Sequence, residues 1–172
     1  QQMGPYMAYG PEAKYFSNLN YSVYQSKTGF FLFVIESGLI RFDGKRFKNY
    51  FSDYTNPNSP SDNCIFDIAE DKNGDLWFAG FEHGVTKYNQ HTGKFTKYPA
   101  LSKDNNPKYG IRRIVNDAEG DLWFATAGRG LAKYNFEKDT FDLFYPNPDK
   151  PKDGTTNNYN QVTDIAADKT YK

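Results

Sequence analysis

The sequence predicts an all-β protein, and three observations predict it. Aromatic residues make up 18% of the 172 residues, and Gly, Asn, Asp and Pro separate the short apolar runs. Aromatic and β-branched side chains favour strands, whereas those four residue types favour tight turns. The third observation is an internal repeat, because DLWFAG at 75–80 returns as DLWFAT at 121–126.

The repeat extends well beyond this hexapeptide. One unit begins at Ile65 and the next at Ile111, and six residue pairs match at an offset of 46 positions. These pairs are Asp71 and Asp117, Gly74 and Gly120, Trp77 and Trp123, Gly84 and Gly130, Tyr88 and Tyr134, and Phe95 and Phe141. A more diverged copy occupies 23–50, and VTDIAADK at 162–169 opens another. We therefore expect about three full units and the start of a fourth.

Each unit begins with an apolar run followed by a turn signal. Ile65, Ile68 and Ala69 have a spacing that also suits one turn of helix. The run is only about seven residues long and ends in DKNGD, so length favours a strand. Gly74 in that segment supplies the positive φ that a tight hairpin requires.

The second run, LWFAG, is apolar on both faces, with Leu76 and Phe78 on one side and Trp77 and Ala79 on the other. Such a strand must be covered on both sides. The third and fourth runs, VTKYN and FTKY, include lysines, so we expect burial to decline from the first strand to the last. Repeated four-stranded antiparallel sheets of this kind predict β-propeller blades, stacked face to face with the first strand innermost. In this arrangement each Trp packs against the neighbouring blade.

This pattern divides the chain into five segments. We predict an N-terminal lead-in at 1–20, blade 1 and its loop at 21–63, blade 2 at 64–109, blade 3 and its loop at 110–160, and the first strand of blade 4 at 161–172. The polar loops at 51–63, 99–109 and 146–160 are long for ordinary connections. They are either binding loops or slack.

Composition and charge exclude several classes of partner. Lys and Arg number 21, as do Asp and Glu, so no overall field favours nucleic acid. The longest apolar run, FFLFVI at 30–35, has the length of a strand, and we expect no membrane contact by this segment itself. A single cysteine, Cys64, leaves no intrachain disulfide.

The repeated unit resembles the two-component regulator propeller repeat. The resemblance lies in the order of its residues: a D, two residues, a G, LWFA, then G-V or G-L, K-Y-N and a closing F with Y. The early copy, ESGLIRFDGKRFKNY followed by FSDYTNPNSPSDN, resembles the opening blade of the periplasmic sensor region of hybrid two-component systems in Gram-negative bacteria. The likeness covers nearly the whole chain from about Tyr21. The WIGT that is usual in that repeat is replaced here by WFAG and WFAT.

The resemblance implies a larger protein, with a periplasmic region of propellers and a β-sandwich, a membrane helix, a histidine kinase and response-regulator domains. Its signals are often breakdown products of polysaccharides. None of the kinase parts is present in this sequence. Because a propeller needs at least about four blades to close, we expect this chain to be an N-terminal fragment.

The sequence offers little material for catalysis or metal binding. DKNGD superficially resembles a calcium loop, but Leu76 occupies the sixth position, where such a loop needs Gly. His83, His91 and Cys64 are too few for a Cys/His dyad or a histidine-rich metal site. We therefore assign no catalytic residue, no metal ligand and no cofactor.

Strand order indicates where a ligand would bind. In an up-and-down blade, the second-to-third connection and the connection to the next blade emerge on one face, which we call the loop face. The candidate ligand-binding residues on it are Phe81, Glu82, His83, Tyr109, Arg112 and Arg129. Aromatic rings suit the apolar faces of sugars, and guanidinium groups suit hydroxyls and carboxylates.

We therefore expect a non-catalytic sensor module that responds to an oligosaccharide. Its parent protein would be anchored in the inner membrane, with this segment in the periplasm and a homodimer formed through the periplasmic region. Two alternatives remain open. One is a propeller scaffold for protein partners, and the other is a fragment of a propeller enzyme such as a lyase or glycosidase.

Overall fold

A computed structural model describes residues 20–35, 38–81, 83–98, 110–149 and 160–168. The described residues form strands and no helix, so none of them belongs to a helix that could cross a membrane. The strands are β1 Asn20–Gln25, β2 Phe31–Ile35, β3 Gly38–Phe42, β4 Phe47–Tyr50, β5 Ile65–Glu70, β6 Leu76–Gly80, β7 Val85–Asn89, β8 Lys94–Tyr98, β9 Ile111–Asn116, β10 Leu122–Thr126, β11 Leu131–Asn135 and β12 Thr140–Phe144.

The twelve strands form three antiparallel sheets of four strands each, with chain neighbours paired throughout. Sheet 1 contains β1–β4, sheet 2 contains β5–β8 and sheet 3 contains β9–β12. The first strands lie close together, since β5 contacts both β1 and β9. This is the geometry of propeller blades around an inner axis, and the predicted fold class is confirmed.

Sheet 2 is covered on both faces, as the apolar second strand predicts. Leu76 and Phe78 belong to an apolar cluster shared with sheet 1, whereas Trp77 and Ala79 belong to a second cluster shared with sheet 3. All five residues of β6 are buried. The tryptophan thus packs against the neighbouring sheet, as predicted.

Burial does not decline steadily from the first strand to the last, and that expectation is wrong for the first strand. Every residue of β6 is buried, but in β5 Phe66 is exposed and Asp67 is only partly buried. The physical reason is that the first strand is an edge of its sheet, with one hydrogen-bonded neighbour instead of two. In the outermost strand β8, Lys94 and Thr96 are exposed as expected.

A β-bulge in the first strand explains its helix-like spacing. Ile65 and Asp67 pair with consecutive residues of β6, which leaves Phe66 without an opposite residue. The extra residue shifts the alternation, so Ile65 and Ile68 both lie in the cluster facing sheet 1. The same bulge recurs in β9 at Arg112.

The hairpin between the first and second strands is closed by a buried carboxylate. Asp71 is 1% exposed, and its Oδ1 accepts a hydrogen bond from the amide of Asp75 at 2.9 Å. Its Oδ2 accepts one from the indole Nε1 of Trp77 at 2.8 Å. Asp117 repeats the arrangement, with Nε1 of Trp123 at 2.7 Å. The repeated Asp and Trp therefore act as a pair.

Sheets 1 and 2 are joined by a polar cluster within their apolar interface. The hydroxyls of Tyr50 and Tyr88 lie 3.1 Å apart, and Nη1 of Arg41 donates to Tyr88 Oη at 3.4 Å. The ring of Phe95 packs against both tyrosines, with centroids 5.3 and 4.7 Å away. A cation and two hydroxyls thereby interact between the sheets.

Sheets 2 and 3 repeat this cluster 46 or 48 positions further along. Nζ of Lys87 donates to Tyr134 Oη at 3.3 Å, and the hydroxyls of Tyr98 and Tyr134 lie 3.5 Å apart. Asp139 adds a carboxylate, because its Oδ1 accepts hydrogen bonds from both Tyr98 and Tyr134. Both interfaces therefore contain a cation and two tyrosine hydroxyls, but only the cluster between sheets 2 and 3 also contains a carboxylate.

The start of the fourth unit forms only one bridge. Gln161 pairs with Ala127 of the third sheet's turn, and the amide of Val162 donates to the carbonyl of Thr126 at 3.0 Å. Residues 162–168 form no strand. In sheets 2 and 3 the first strand pairs with the second strand of its own sheet, and no such partner follows here among the described residues. The first strand of blade 4 stays a prediction.

Candidate functional site

The loops of sheets 2 and 3 meet on one face of the molecule. The turn after β6 joins the preceding connection through a hydrogen bond from the Phe81 amide to the Cys64 carbonyl at 3.0 Å. In the next sheet the Ala127 amide donates to the Gly110 carbonyl at 3.0 Å, and the Gly130 amide donates to the Asn160 carbonyl at 2.6 Å. These bonds tie turns and connections together on the loop face.

Three residues form an arginine–phenylalanine cluster on this face. Cζ of Arg112 lies 4.9 Å from the ring centroid of Phe66 and 5.6 Å from that of Phe81. The two rings meet edge to face with centroids 5.4 Å apart. Both are partly exposed, Phe66 at 38% and Phe81 at 42%. A guanidinium over ring faces is held by cation–π attraction, so its position is defined although it is not fully buried.

His83 lies in a second polar group at the loop face. Its Nδ1 is 3.6 Å from Oδ2 of Asp62, and its Nε2 is 3.3 Å from the hydroxyl of Tyr54. The rings of Tyr54 and His83 also meet edge to face, with centroids 5.1 Å apart. Tyr54 is 74% exposed, so this group offers an accessible ring with a hydroxyl.

The long connection at 51–63 is anchored by Lys97. Nζ of Lys97 donates to the carbonyl of Asp53 at 3.0 Å, to the carbonyl of Asn56 at 2.9 Å and to Oγ of Ser59 at 3.1 Å. Three oxygens around one ammonium fix the loop against β8. The connection is therefore not slack, and Tyr54 is presented from an anchored segment.

The remaining sequence candidates lie elsewhere. Arg129 is only 6% exposed, and its amide donates to Oγ1 of Thr126 at 2.9 Å within the turn. Glu82 and Tyr109 lie outside the described residues. The structure thus brings Phe81 and Arg112 together, places His83 in a separate group, and gives Arg129 a buried position.

Sequence reasoning missed Phe66 and Tyr54. The signal for Phe66 was the spacing of Ile65 and Ile68, since two residues that share a face three positions apart in a strand require a bulge between them. For Tyr54 the only signal was an aromatic residue within a polar loop, which is weak because solvent-exposed tyrosines are common.

Comparison with known families identifies the repeat. Residues 59–82 match the profile described as two component regulator propeller. One segment of the chain therefore matches the two-component regulator propeller repeat. The matched segment includes β5 and β6, with the carboxylate–indole pair of Asp71 and Trp77. No curated protein matches the sequence.

Solved structures show the same architecture. The extracellular domain of the hybrid two component system BT3049 from B. thetaiotaomicron is 25% identical, with a TM-score of 0.64 over 74% of this chain and 18% of that one. The extracellular domain of the one component system BT4673 from the same organism is 20% identical, with a TM-score of 0.64 over 90% and 20%. YCF48 bound to D1 peptide is 10% identical, with a TM-score of 0.53 over 73% and 39%.

These likenesses differ in what they show. At 20% and 10% identity, the similarity to BT4673 and YCF48 concerns the fold alone. The chain spans only about a fifth of the two B. thetaiotaomicron structures. Together with the regulator repeat, the likeness to BT3049 makes this chain a propeller segment similar to the extracellular domain of a hybrid two-component system.

Proposed function

We propose that this chain is part of an extracytoplasmic sensor propeller of a hybrid two-component signalling protein, and that it recognises an oligosaccharide at its loop face. The observation that carries the proposal is the combination of a regulator propeller repeat with 25% identity to the extracellular domain of BT3049. In a bacterium with two membranes this location is the periplasm. The kinase belongs to the parent protein.

The exposed side chains of the loop face support a saccharide as the ligand. Phe66, Phe81 and Tyr54 offer ring faces for the C–H surfaces of a sugar, and Arg112 offers donors for its oxygens. His83 and the Tyr54 hydroxyl add polar contacts. Rings with a few convergent polar groups are the usual composition of a small-ligand site.

The module transmits a signal by differential binding. A ligand that bridges groups from two sheets, such as Arg112 of sheet 3 and Phe81 of the sheet 2 turn, favours one relative position of those sheets. The equilibrium shifts only as far as the affinities for the two positions differ. Homodimerisation of the parent region is the step on which such a shift would act.

Calorimetric titration of the chain with neutral and acidic oligosaccharides tests the proposal. We expect saturable binding of at least one glycan that is weakened by Phe81→Ala. Phe31→Ala is the matched control, because Phe31 is similarly exposed at 37% but lies in β2, away from the loop-face connections. Binding of peptides or other ligand classes without any glycan would contradict the proposal.

A further inference from the structure

The bulge in the first strand leaves one residue outside the regular alternation of side chains between the two faces of the sheet. Phe66 and Arg112 occupy the same bulge position in neighbouring sheets, 46 positions apart. A bulged residue has no cross-strand partner, so its identity is not fixed by pairing. The two bulge residues nevertheless meet each other, with Cζ of Arg112 4.9 Å from the Phe66 ring.

Adjacent arginines in β9 have different environments. Arg113 lies between two carboxylates, with Nε 3.6 Å from Oδ2 of Asp67 and 3.5 Å from Oδ1 of Asp164. Arg112 has no carboxylate partner in the part of the chain that the structure describes. Its charge is met by ring faces, which hold a cation without using its N–H donors.

We propose that Arg112 is an anion-binding residue and that the ligand carries a carboxylate or sulfate group, as an acidic oligosaccharide does. This inference rests on the proposed sensor function and specifies its ligand. Five N–H donors in a rigid fork match a carboxylate or sulfate in two-point contact. Phe66 and Phe81 position the guanidinium and present an apolar surface beside the anion.

Titration with three probes tests this assignment. The probes are trigalacturonate, the neutral sugar galactotriose, and tricarballylate as an acid that is not a sugar. We expect trigalacturonate to bind more tightly than galactotriose, and Arg112→Gln to weaken trigalacturonate by about tenfold or more, the loss typical of a charge-assisted contact. Arg112→Lys keeps the positive charge but loses the two-point geometry of the guanidinium. We therefore expect its affinity for trigalacturonate to lie between those of wild type and Arg112→Gln.

Arg113→Gln is the matched control. It removes the same charge from the next residue, but Arg113 is already neutralised by Asp67 and Asp164, so trigalacturonate affinity changes less than about twofold. Tryptophan fluorescence of each variant verifies folding, since both indoles report on sheet packing. Raising the salt concentration weakens trigalacturonate and leaves galactotriose unchanged.

The outcomes separate this inference from the proposed function. If both trisaccharides bind equally and Arg112→Gln alters neither, the anion assignment is overturned while saccharide sensing stands. If tricarballylate alone binds, and Arg112→Gln abolishes it, the anion assignment stands and the saccharide signal is wrong. If none of the three probes binds at millimolar concentration, the assignment of Arg112 is overturned.

Discussion

Both interfaces between sheets contain a cluster of one cation and two tyrosines, but only the cluster between sheets 2 and 3 contains an acid. Position 93, in the turn after β7, is glycine with φ of 69°, and the equivalent position 139 after β11 is aspartate with φ of 49°. Asp139 is the one non-glycine residue with positive φ among those described. A left-handed conformation costs an L-residue about 1–2 kcal/mol, and at Asp139 two tyrosine hydrogen bonds offset that cost.

The acid also changes the electrostatics of the second interface. Burial raises the pKa of Tyr98 and of Tyr134, and their hydrogen bonds with Asp139 raise them further. The Tyr134 hydroxyl lowers the pKa of Asp139. Burial lowers the pKa of Lys87, but hydrogen bonding to Tyr134 and the charge of Asp139 outweigh it, and the net shift is upward. The interface therefore holds neutral tyrosines, an ammonium and a carboxylate.

The apolar parts of the two interfaces also differ, and this difference carries the largest expected effect. Trp77 pairs with Lys87 as Leu32 pairs with Arg41, so the two residues are equivalent. Both are fully buried. We expect Trp77→Ala to lower the free energy of unfolding by about 3–5 kcal/mol in urea denaturation, and Leu32→Ala, which removes fewer apolar atoms, to fall toward the lower end of about 2–5 kcal/mol. Trp77→Ala also leaves the buried Asp71 carboxylate without its indole donor.

Trp123→Ala is the control for the tryptophan itself. Trp123 donates the same hydrogen bond to Asp117 but is only partly buried. Its replacement should cost less than that of Trp77. Two results would contradict the idea that burial of Trp77 between sheets 2 and 3 contributes most to stability. One is an equal loss of unfolding free energy for the two tryptophan variants, and the other is a larger loss for Leu32→Ala than for Trp77→Ala.

An intermediate effect is expected from Asp139→Asn, which removes the acid from the tyrosine cluster between sheets 2 and 3. Because the Asp139 side chain is 61% exposed, we expect a loss of only about 1 kcal/mol at pH 7. A lowered folded-state pKa means that this stability is present above the ordinary aspartate value of 3.8 and disappears as the pH falls through the folded value. The difference between wild type and variant should therefore shrink below pH 3.8.

Urea denaturation at pH 7 and at successively lower pH measures this difference. Phe31, an exposed residue of β2 in sheet 1, provides the control through Phe31→Ala, whose effect should not follow the titration of Asp139. A constant difference between wild type and Asp139→Asn across the whole range would contradict the role of the ionised carboxylate.

The smallest expected effect comes from moving the acid to the first interface. The Cβ of a residue at position 93 would lie 3.9 Å from the hydroxyl of Tyr88, so the carboxylate of Gly93→Asp can accept a hydrogen bond there. Gly93→Ala has the same backbone cost without an acceptor, about 1 kcal/mol. Thermal unfolding should place Gly93→Asp about 0.5 kcal/mol above Gly93→Ala. Equal stabilities would show that the tyrosine cluster of the first interface does not accept a carboxylate.

Those features of the fold that depend on local alternation could be predicted from the sequence. LWFAG assigned Leu76 and Trp77 to opposite covered faces, because side chains in a strand alternate with a period of two. The prediction of declining burial was wrong for β5, since alternation does not reveal that a strand lies at an edge. The spacing of Ile65 and Ile68 results from the bulge, but the same spacing also fits one turn of helix, so the sequence alone does not identify the bulge.

The candidate site was predictable only in part, because its contacts join different sheets. Strand order placed Phe81 and Arg112 on one face, and the structure brings them together. The sequence pattern does not show that Arg112 and Phe66 are in contact, because a whole repeat unit separates them along the chain. For the same reason the sequence could not distinguish Arg112 from Arg113. The carboxylates that pair with Arg113 belong to two other repeat units.

The pairing of Asp71 with Trp77 has a consequence for synthesis on the ribosome. Its hydrogen bonds join residues no more than six positions apart, as do those of Asp117 with Trp123. Each hairpin can therefore close as soon as its own few residues have left the exit tunnel, before the next unit has been translated. Docking of each sheet against its predecessor joins residues much further apart in the chain, so it follows as the slower step.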